Sequence, residues 1–403
     1  MYFCKMNMNK DFEMVATTMF GLEEVLATEL KNLGAQDVVV GIRSVSFKGD
    51  KGFMYKANIA LRTAIRILKP IKTFKVFDEE DLYESLQKIN WENYLDVDGT
   101  FSIGAVVNSK NFTTNSHYIT LKSKDAIADY FRDKYNRRPN VDVKHPDLKI
   151  HVHIQKELCT VSLDSSGDSL HKRGYRSATN IAPINEVLAA GLVLLSGYTG
   201  EENFIDPMCG SGTILIEATM IANNIPANIN RNHFGFENWK DYDDDLYFLI
   251  QDVLLKKIRS SHFKIMGFDK APSAVIKAQD NIKNANLDEF IGVHHVNFFN
   301  SKKEVFGNTT ILFNPPYGER LNIDTAEFYK KIGDTLKHGY PDCKVWFITS
   351  DLEALKHVGL RTSKKIPLKN GDLDCRLVRY DMYSGTRKVR SDEQEISETD
   401  LED

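Results

Sequence analysis

No stretch of this 403-residue chain approaches the roughly 20 consecutive apolar residues that span a bilayer, so a helical membrane anchor is excluded. Met1 to Asp11 lacks the long apolar core of a secretory signal, and a cytoplasmic protein is expected. Cysteine is scarce. The five present (Cys4, Cys159, Cys209, Cys343 and Cys375) are odd in number and scattered, with no C-x-x-C. Neither a disulfide framework nor a metal site is signalled. The chain has no G-x-x-x-x-G-K-[ST], which leaves ATP hydrolysis unsupported, and no internal repeat. Ser391 to Asp403 has no basic residue and seven acidic ones. Without that tail the chain holds 52 basic against 49 acidic groups, a mildly basic body compatible with an RNA partner.

What is present divides into segments. Met14-Val15-Ala16 reads as a strand, followed by Leu22, Val25, Leu26, Leu30 and Leu33 at helical spacing until Gly34. Strands around Val38 to Val40 and Val45 to Phe47, a helix from Phe53 to Leu61 and a strand from Arg66 to Val76 complete a β-α-β-β-α-β order. That order predicts a ferredoxin-like unit over residues 1–75. Residues 76–168 begin a new pattern: a helix near Leu82 to Ile89, a strand at Phe101 to Val107, a long helix ending near Tyr135, and strands at Lys149 to Ile154 and Cys159 to Leu163. Residues 101–150 hold nine Lys/Arg and five Asp/Glu. Lys110, Lys122, Lys124, Arg132, Arg137 and Arg138 are candidates for a phosphate-binding face, with a solvated helix face as the alternative.

Residues 169–388 alternate helices with short apolar strands at Phe204-Ile205, Ile265 to Phe268, Val293 to Val296, Ile311 to Phe313 and Val345 to Thr349. This pattern predicts a doubly wound α/β sheet. Asn370-Gly371 marks a closing hairpin, and residues 389–403 read as a disordered acidic tail. The run Asp206-Pro207-Met208-Cys209-Gly210-Ser211-Gly212-Thr213 falls between a strand and a helix, where glycines let backbone approach a ligand. A dinucleotide fingerprint would add a third glycine and an acid about 20 residues on. Here the third glycine is missing and the acid at the end of the next strand, Asp269, lies 63 residues after Asp206. Asp269 is placed to hold a ribose, or to cap a helix. Asn297 and Phe298, at the next strand end, are candidates for an adenine site.

The most specific signal is Asn314-Pro315-Pro316-Tyr317 after an apolar strand. An exocyclic amine conjugated to a base is a poor nucleophile. An Asn side-chain carbonyl and the next backbone carbonyl can accept its two N–H bonds and draw the lone pair out of conjugation. Proline, with no N–H and a fixed φ, holds that carbonyl in place, and Tyr317 offers a ring for stacking on a flipped base. Methylation of a pyrimidine carbon would need a cysteine nucleophile. Cys209 belongs to the glycine turn and the Asn-Pro-Pro-Tyr loop has none, which disfavours that chemistry.

These motifs resemble the class I S-adenosylmethionine-dependent methyltransferases. With Leu170 to Arg176, Ala182-Pro183, Gly318-Glu319-Arg320 and Leu373-Asp374-Cys375-Arg376-Leu377 added, the chain resembles the THUMP-domain guanine-N2 RNA methyltransferases to about Arg387. The resemblance implies a ferredoxin-like and THUMP region that captures RNA, followed by a Rossmann-like catalytic domain using S-adenosyl-L-methionine. It implies that Asp206, Met208, Gly210, Gly212 and Thr213 shape the donor pocket, that Asp269 holds its ribose, and that Ala182-Pro183 contact it from the linker side. Asn314, Pro315, Pro316 and Tyr317 would orient a guanine N2 amine, and Lys172, Arg173 and Arg176 would join the RNA-facing cations. The implied substrate is 23S rRNA or a ribosome-assembly intermediate, alternatively tRNA; adenine-N6 methylation and a non-catalytic assembly factor are the rivals. Asn185 and Asn297 depart from the pattern, standing where a basic and an acidic residue are usual.

Overall fold

The computed structural model describes residues 10–109, 112, 115–176, 184–316 and 324–384. They fall into two units: residues 1–176, 185–191 and 224–259 form the first, and 177–184, 192–223 and 260–403 the second.

The first unit opens with β1 (Phe12–Thr17), α1 (Glu23–Leu33), β2 (Gln36–Val40), β3 (Ser44–Gly49), α2 (Lys51–Ala60) and β4 (Arg66–Lys75). This is the β-α-β-β-α-β order the apolar periodicity predicts. Each boundary has a local cause. Gly34 ends α1 in the left-handed conformation at φ 102, and the Asp50 side chain accepts the Phe53 N–H to start α2. The chain continues through α3 (Glu79–Gln87), β5 (Thr100–Asn108), α4 (Ser116–Tyr135), β6 (Asn140–Val141), β7 (Leu148–Gln155) and β8 (Leu158–Asp164). Both halves share one eight-stranded sheet, ordered β2-β3-β1-β4-β8-β7-β5-β6. The join is the antiparallel pairing of β4 with β8, from Leu68 opposite Asp164 to Lys75 opposite Leu158. Strict alternation along β7 sends Leu148, Ile150, Val152 and Ile154 into the core. That core runs without a break from Met14 and Phe47 to Trp91 and Phe131.

The segment 224–259 interrupts the second unit in sequence yet belongs to the first. Its helix α7 (Asp244–Leu255) packs on α2, where Leu246 and Ile250 approach Gly52, and Phe236 stacks on Tyr55 at 4.4 Å. The stretch Asn223 to Phe263 leaves both a pocket cover and a packed helical extension open on sequence alone; the structure makes 224–259 an extension of the ferredoxin-like half.

The second unit holds α6 (Thr213–Ala222), α8 (Pro272–Asn284) and α9 (Thr325–Gly339) around a seven-stranded sheet. Its strands are β9 (Asn203–Asp206), β10 (Ile265–Asp269), β11 (Ile291–His295), β12 (Thr309–Phe313), β13 (Cys343–Thr349), β14 (Lys364–Asn370) and β15 (Leu373–Asp381), ordered β11-β10-β9-β12-β13-β15-β14. The first five in that order are parallel, and β15 runs against both of its neighbours. The remaining helix, α5 (Glu186–Ser196), precedes β9. Gly267 in β10 is required by packing, since a Cβ there would lie 2.3 Å from Leu215 Cδ1 of α6.

Candidate active site

In an open parallel sheet, ligands bind beyond the carboxyl ends of the strands where the winding reverses. Here the reversal falls between β9 and β12, which are neighbours in the sheet although distant in sequence. Asp206 is the last residue of β9 and Asn314 the first after β12. The topology therefore brings the glycine turn and the Asn-Pro-Pro segment to one crevice.

The turn is held by its own backbone. Cys209 N–H donates to the Phe268 carbonyl at 2.9 Å, Gly212 N–H to the Cys209 carbonyl at 2.8 Å, and Met208 N–H to Asp206 Oδ1 at 3.1 Å. Gly210 and Gly212 take positive φ values of 53 and 80, which favour glycine, and beyond its chain neighbours no atom of the described residues lies within 4 Å of where a Gly210 Cβ would stand. From α8, Asn281 Nδ2 donates to the Ser211 carbonyl at 3.0 Å, and Thr213 begins α6. Asp269 closes β10 and ties the turn to it: its Oδ2 accepts the Gly210 N–H at 3.0 Å and its Oδ1 the Ala271 N–H at 2.9 Å.

Asp206 is buried to 1% exposure, and its Oδ2 has no hydrogen-bond partner among the described residues. Burial drives its carboxyl well above the ordinary range. The Met208 N–H opposes the rise and the nearby Asp269 charge adds to it. A buried carboxylate left half-bonded beside an open glycine turn fits a polar, cationic ligand. The Cys209 thiol is pushed well up, first by burial and then by the two aspartates, so it stays protonated and is no nucleophile.

Across the crevice, Asn314 Oδ1 is buried and accepts no hydrogen bond among the described residues. Pro315 behind it is buried and Pro316 half-buried. Tyr317, Ala182, Pro183 and Lys110 lie outside the described residues. Register places Phe313 opposite Phe347 and Thr349 opposite Arg376, so Arg376 stands two strands from the end of β12 at the same edge. Its guanidinium is half-buried and donates only to the Cys375 carbonyl, with no carboxylate partner among the described residues. The sequence motif containing it gave it no role.

Two assignments are corrected by burial. Phe298 is 2% exposed and packs on Phe313 and Tyr340, so it belongs to the core and offers no face to an adenine. Asn297 is exposed, with its Oδ1 engaged by the Phe299 N–H at 3.1 Å. Arg173 is 1% exposed and donates to the carbonyls of Arg62 and Leu170 and to Asn228 Oδ1; it is a structural cation that RNA cannot reach. Arg176 is held by Glu186 at 2.7 Å. Lys122 is paired with Glu80, Lys124 with Asp125, Arg132 with Asp129, Arg137 with Asp98 and Lys172 with Asp168. Arg138 is exposed and forms no ion pair among the described residues.

The sheet order is that of a class I methyltransferase fold, with the glycine turn at its switch point. Residues 173–379 match the RMKL-like methyltransferase domain, 76–164 the THUMP domain and 13–68 the RlmL ferredoxin-like domain. The chain belongs to the RMKL-like methyltransferase family, in its THUMP-bearing, S-adenosylmethionine-dependent RNA methyltransferase form. It is 37% identical over 372 residues, 91% of its length and 96% of the relative's, to slr0064 of Synechocystis sp., provisionally named an RNA methyltransferase. Among solved structures it is similar to SMU.472, provisionally a methyltransferase and crystallised with SAH. That pair is 32% identical with a TM-score of 0.83, covering 94% of this chain and 100% of the other. A Listeria monocytogenes str. 4b F2365 protein described as a predicted N6-adenine-specific DNA methylase gives 31% and 0.81, covering 92% and 96%. Among the described residues, no helix is long and apolar enough to cross a membrane.

Proposed function

We propose that the protein transfers a methyl group from S-adenosylmethionine to the exocyclic N2 of a guanine in RNA, with 23S rRNA as the substrate favoured by the family motifs. The observation that carries the reading is the buried Oδ1 of Asn314, without a hydrogen-bond donor among the described residues, on the residue that follows β12 next to the strand that ends in the glycine turn. A buried acceptor without a donor is costly, on the order of 1–3 kcal/mol, unless a ligand supplies the N–H. An aromatic amine does so, and the Pro315 carbonyl is positioned by its ring to take the second N–H.

The donor, when bound, supplies an electrophilic methyl group on a sulfonium. The residues of this chain position and desolvate. Gly210 and Gly212 let the backbone come close, Asp269 fixes the turn against β10, and Asp206 presents a carboxylate to a cationic ligand. Asn314 draws the amine lone pair toward the methyl carbon, and catalysis is mostly orientation. The amine becomes acidic as it is alkylated and releases its proton to water, so no strong general base is needed. On the same reading Arg376, with no carboxylate partner among the described residues, takes a phosphate of the strand that carries the flipped base.

Adenine presents a comparable amine, and the description of the Listeria structure gives that reading its support. The two separate in one experiment: labelled methyl transfer to rRNA and tRNA pools from a strain lacking the protein, followed by nucleoside digestion. N2-methylguanosine in large-subunit rRNA is expected. The same product in tRNA alone would move the substrate, and N6-methyladenosine would overturn the guanine assignment. Asn314→Ala should lower turnover by about 100-fold while leaving RNA affinity unchanged; near wild-type turnover would remove Asn314 from the mechanism.

A further inference from the structure

Residues 354–371 hold five Lys/Arg and no Asp or Glu. They form the helical turn Ala354–Val358, the loop after it and the edge strand β14. Along β14, Lys365, Pro367 and Lys369 share one face with the residues opposite them in β15, which are Val378, Arg376 and Asp374. On that face Val378 packs into a core with α9 and the helical turn. The cover stops short of β14, where Lys365 and Pro367 are exposed.

The acids near this strip are already engaged. Glu353 is taken by Lys356, Asp374 by Lys369 and Asp381 by Arg379. Lys365 forms no ion pair among the described residues. Neither does Lys337 of α9, which is exposed and whose Nζ stands 3.6 Å from where a Cβ on Gly359 would lie. Arg376, one strand in from the edge, has no carboxylate partner among the described residues either. Lysine and proline on an edge strand discourage pairing with another chain. That accounts for Lys365 and Pro367. It does not account for Arg376, which is not at the edge, or for Lys337, which is on a helix. Like charges gathered on one side of a sheet with no acid to hold them raise a positive potential there, and the occupant it suits is a polyanion.

We propose that this strip is a phosphate track: the RNA strand leaving the crevice at Asn314 passes Arg376 and continues along β14, with phosphates on Lys365 and then Lys337. The inference rests on the RNA-methylating reading, which supplies the point where the strand starts. Lys365 stands two residues before Pro367, so it is about 7 Å along β14 from the position opposite Arg376, a step that one nucleotide of a single strand can span. Contacts of this kind position the strand and carry no sequence information.

Fluorescence anisotropy of the full chain with a labelled oligouridylate, read over a range of salt, tests the track. Lys365→Ala and Lys337→Ala should each lower the slope of log affinity against log salt by about 0.7, and the double variant by about 1.4. Both side chains are exposed, and circular dichroism checks that each variant is folded. Lys256→Ala removes a charge from the first unit instead and should leave the slope unchanged. A wild type that does not bind the oligomer overturns the proposal. So do slopes that stay unchanged in the track variants, or an equal fall in Lys256→Ala, which would report net charge alone. Calorimetric titration with S-adenosylmethionine separates the two readings. Normal donor binding with unchanged slopes removes the track and leaves methyl transfer standing, whereas a wild type that binds no donor removes that reading and the track with it.

Discussion

Two carboxylates sit at the proposed donor cradle, and their surroundings give them different work. Asp269 spends both oxygens on backbone N–H groups of Gly210 and Ala271, and so fixes the turn. Asp206 spends one oxygen on Met208 and leaves the other without a partner among the described residues, in a site that raises its carboxyl well above the ordinary range. A cationic donor favours the ionised form, so binding below the raised value must expel a proton. Donor affinity should therefore climb with pH through that value and level off above it, and Asp206→Asn should flatten the profile. Calorimetric titrations across pH decide this, and a flat wild-type profile would mean that Asp206 is ionised before the donor arrives. The identities and spacing of Asp206, Gly210, Gly212, Asp269 and Asn314 were legible in the sequence because strand-to-turn motifs are local. Burial was not. Nothing local separates Phe298, which the core claims, from the half-buried Phe299, or buried Arg173 from exposed Lys172.

Among the elements, the β14–β15 hairpin is the one whose place gives it a use. Its turn is Gly371-Asp372, one residue later than the Asn-Gly pair suggests, because Asn370 pairs with Leu373. The hairpin overhangs β13 beyond Thr349 and sets Arg376 at the acceptor end of the sheet. If Arg376 takes a phosphate, Arg376→Ala should raise KM for RNA with kcat and donor affinity little changed. It should also lower the slope of log affinity against log salt by about 0.7, the contribution of one contact to single-stranded RNA. An unchanged slope would leave Arg376 off the RNA path. Strands such as β7 and β12 are legible because period-2 or continuous apolar runs report burial on one or both faces. β11 is less so: it runs Ile291–His295, earlier than the apolar Val293 to Val296 suggests, since its register follows β10.

On the scale of the whole chain, sequence order and spatial order part company. The ferredoxin-like and THUMP halves read as successive segments, yet β4 pairs with β8 and their cores merge, so neither half has a closed sheet edge at the join. Segment 224–259 lies between two strands of the methyltransferase sheet in sequence, but its Phe234, Phe236 and Trp239 complete the core of the first unit. No local pattern announces this, since the partner ring, Tyr55, is far away in sequence. Burial at that contact raises the Tyr55 hydroxyl to about 12, as expected for a ring sealed beneath Phe236. Phe236→Ala removes a fully buried ring and should destabilise the first unit by about 3–5 kcal/mol. On the proposed reading the donor cradle is built from residues of the second unit, so affinity for S-adenosylmethionine should be unchanged under native conditions. Urea unfolding followed by tryptophan fluorescence, beside calorimetric titration with the donor, checks both halves of the statement. Trp91 and Trp239 report on the first unit and Trp346 on the second. A loss of donor affinity matching the loss of stability would show that the two units fold as one cooperative body, and that the insertion serves the catalytic sheet after all.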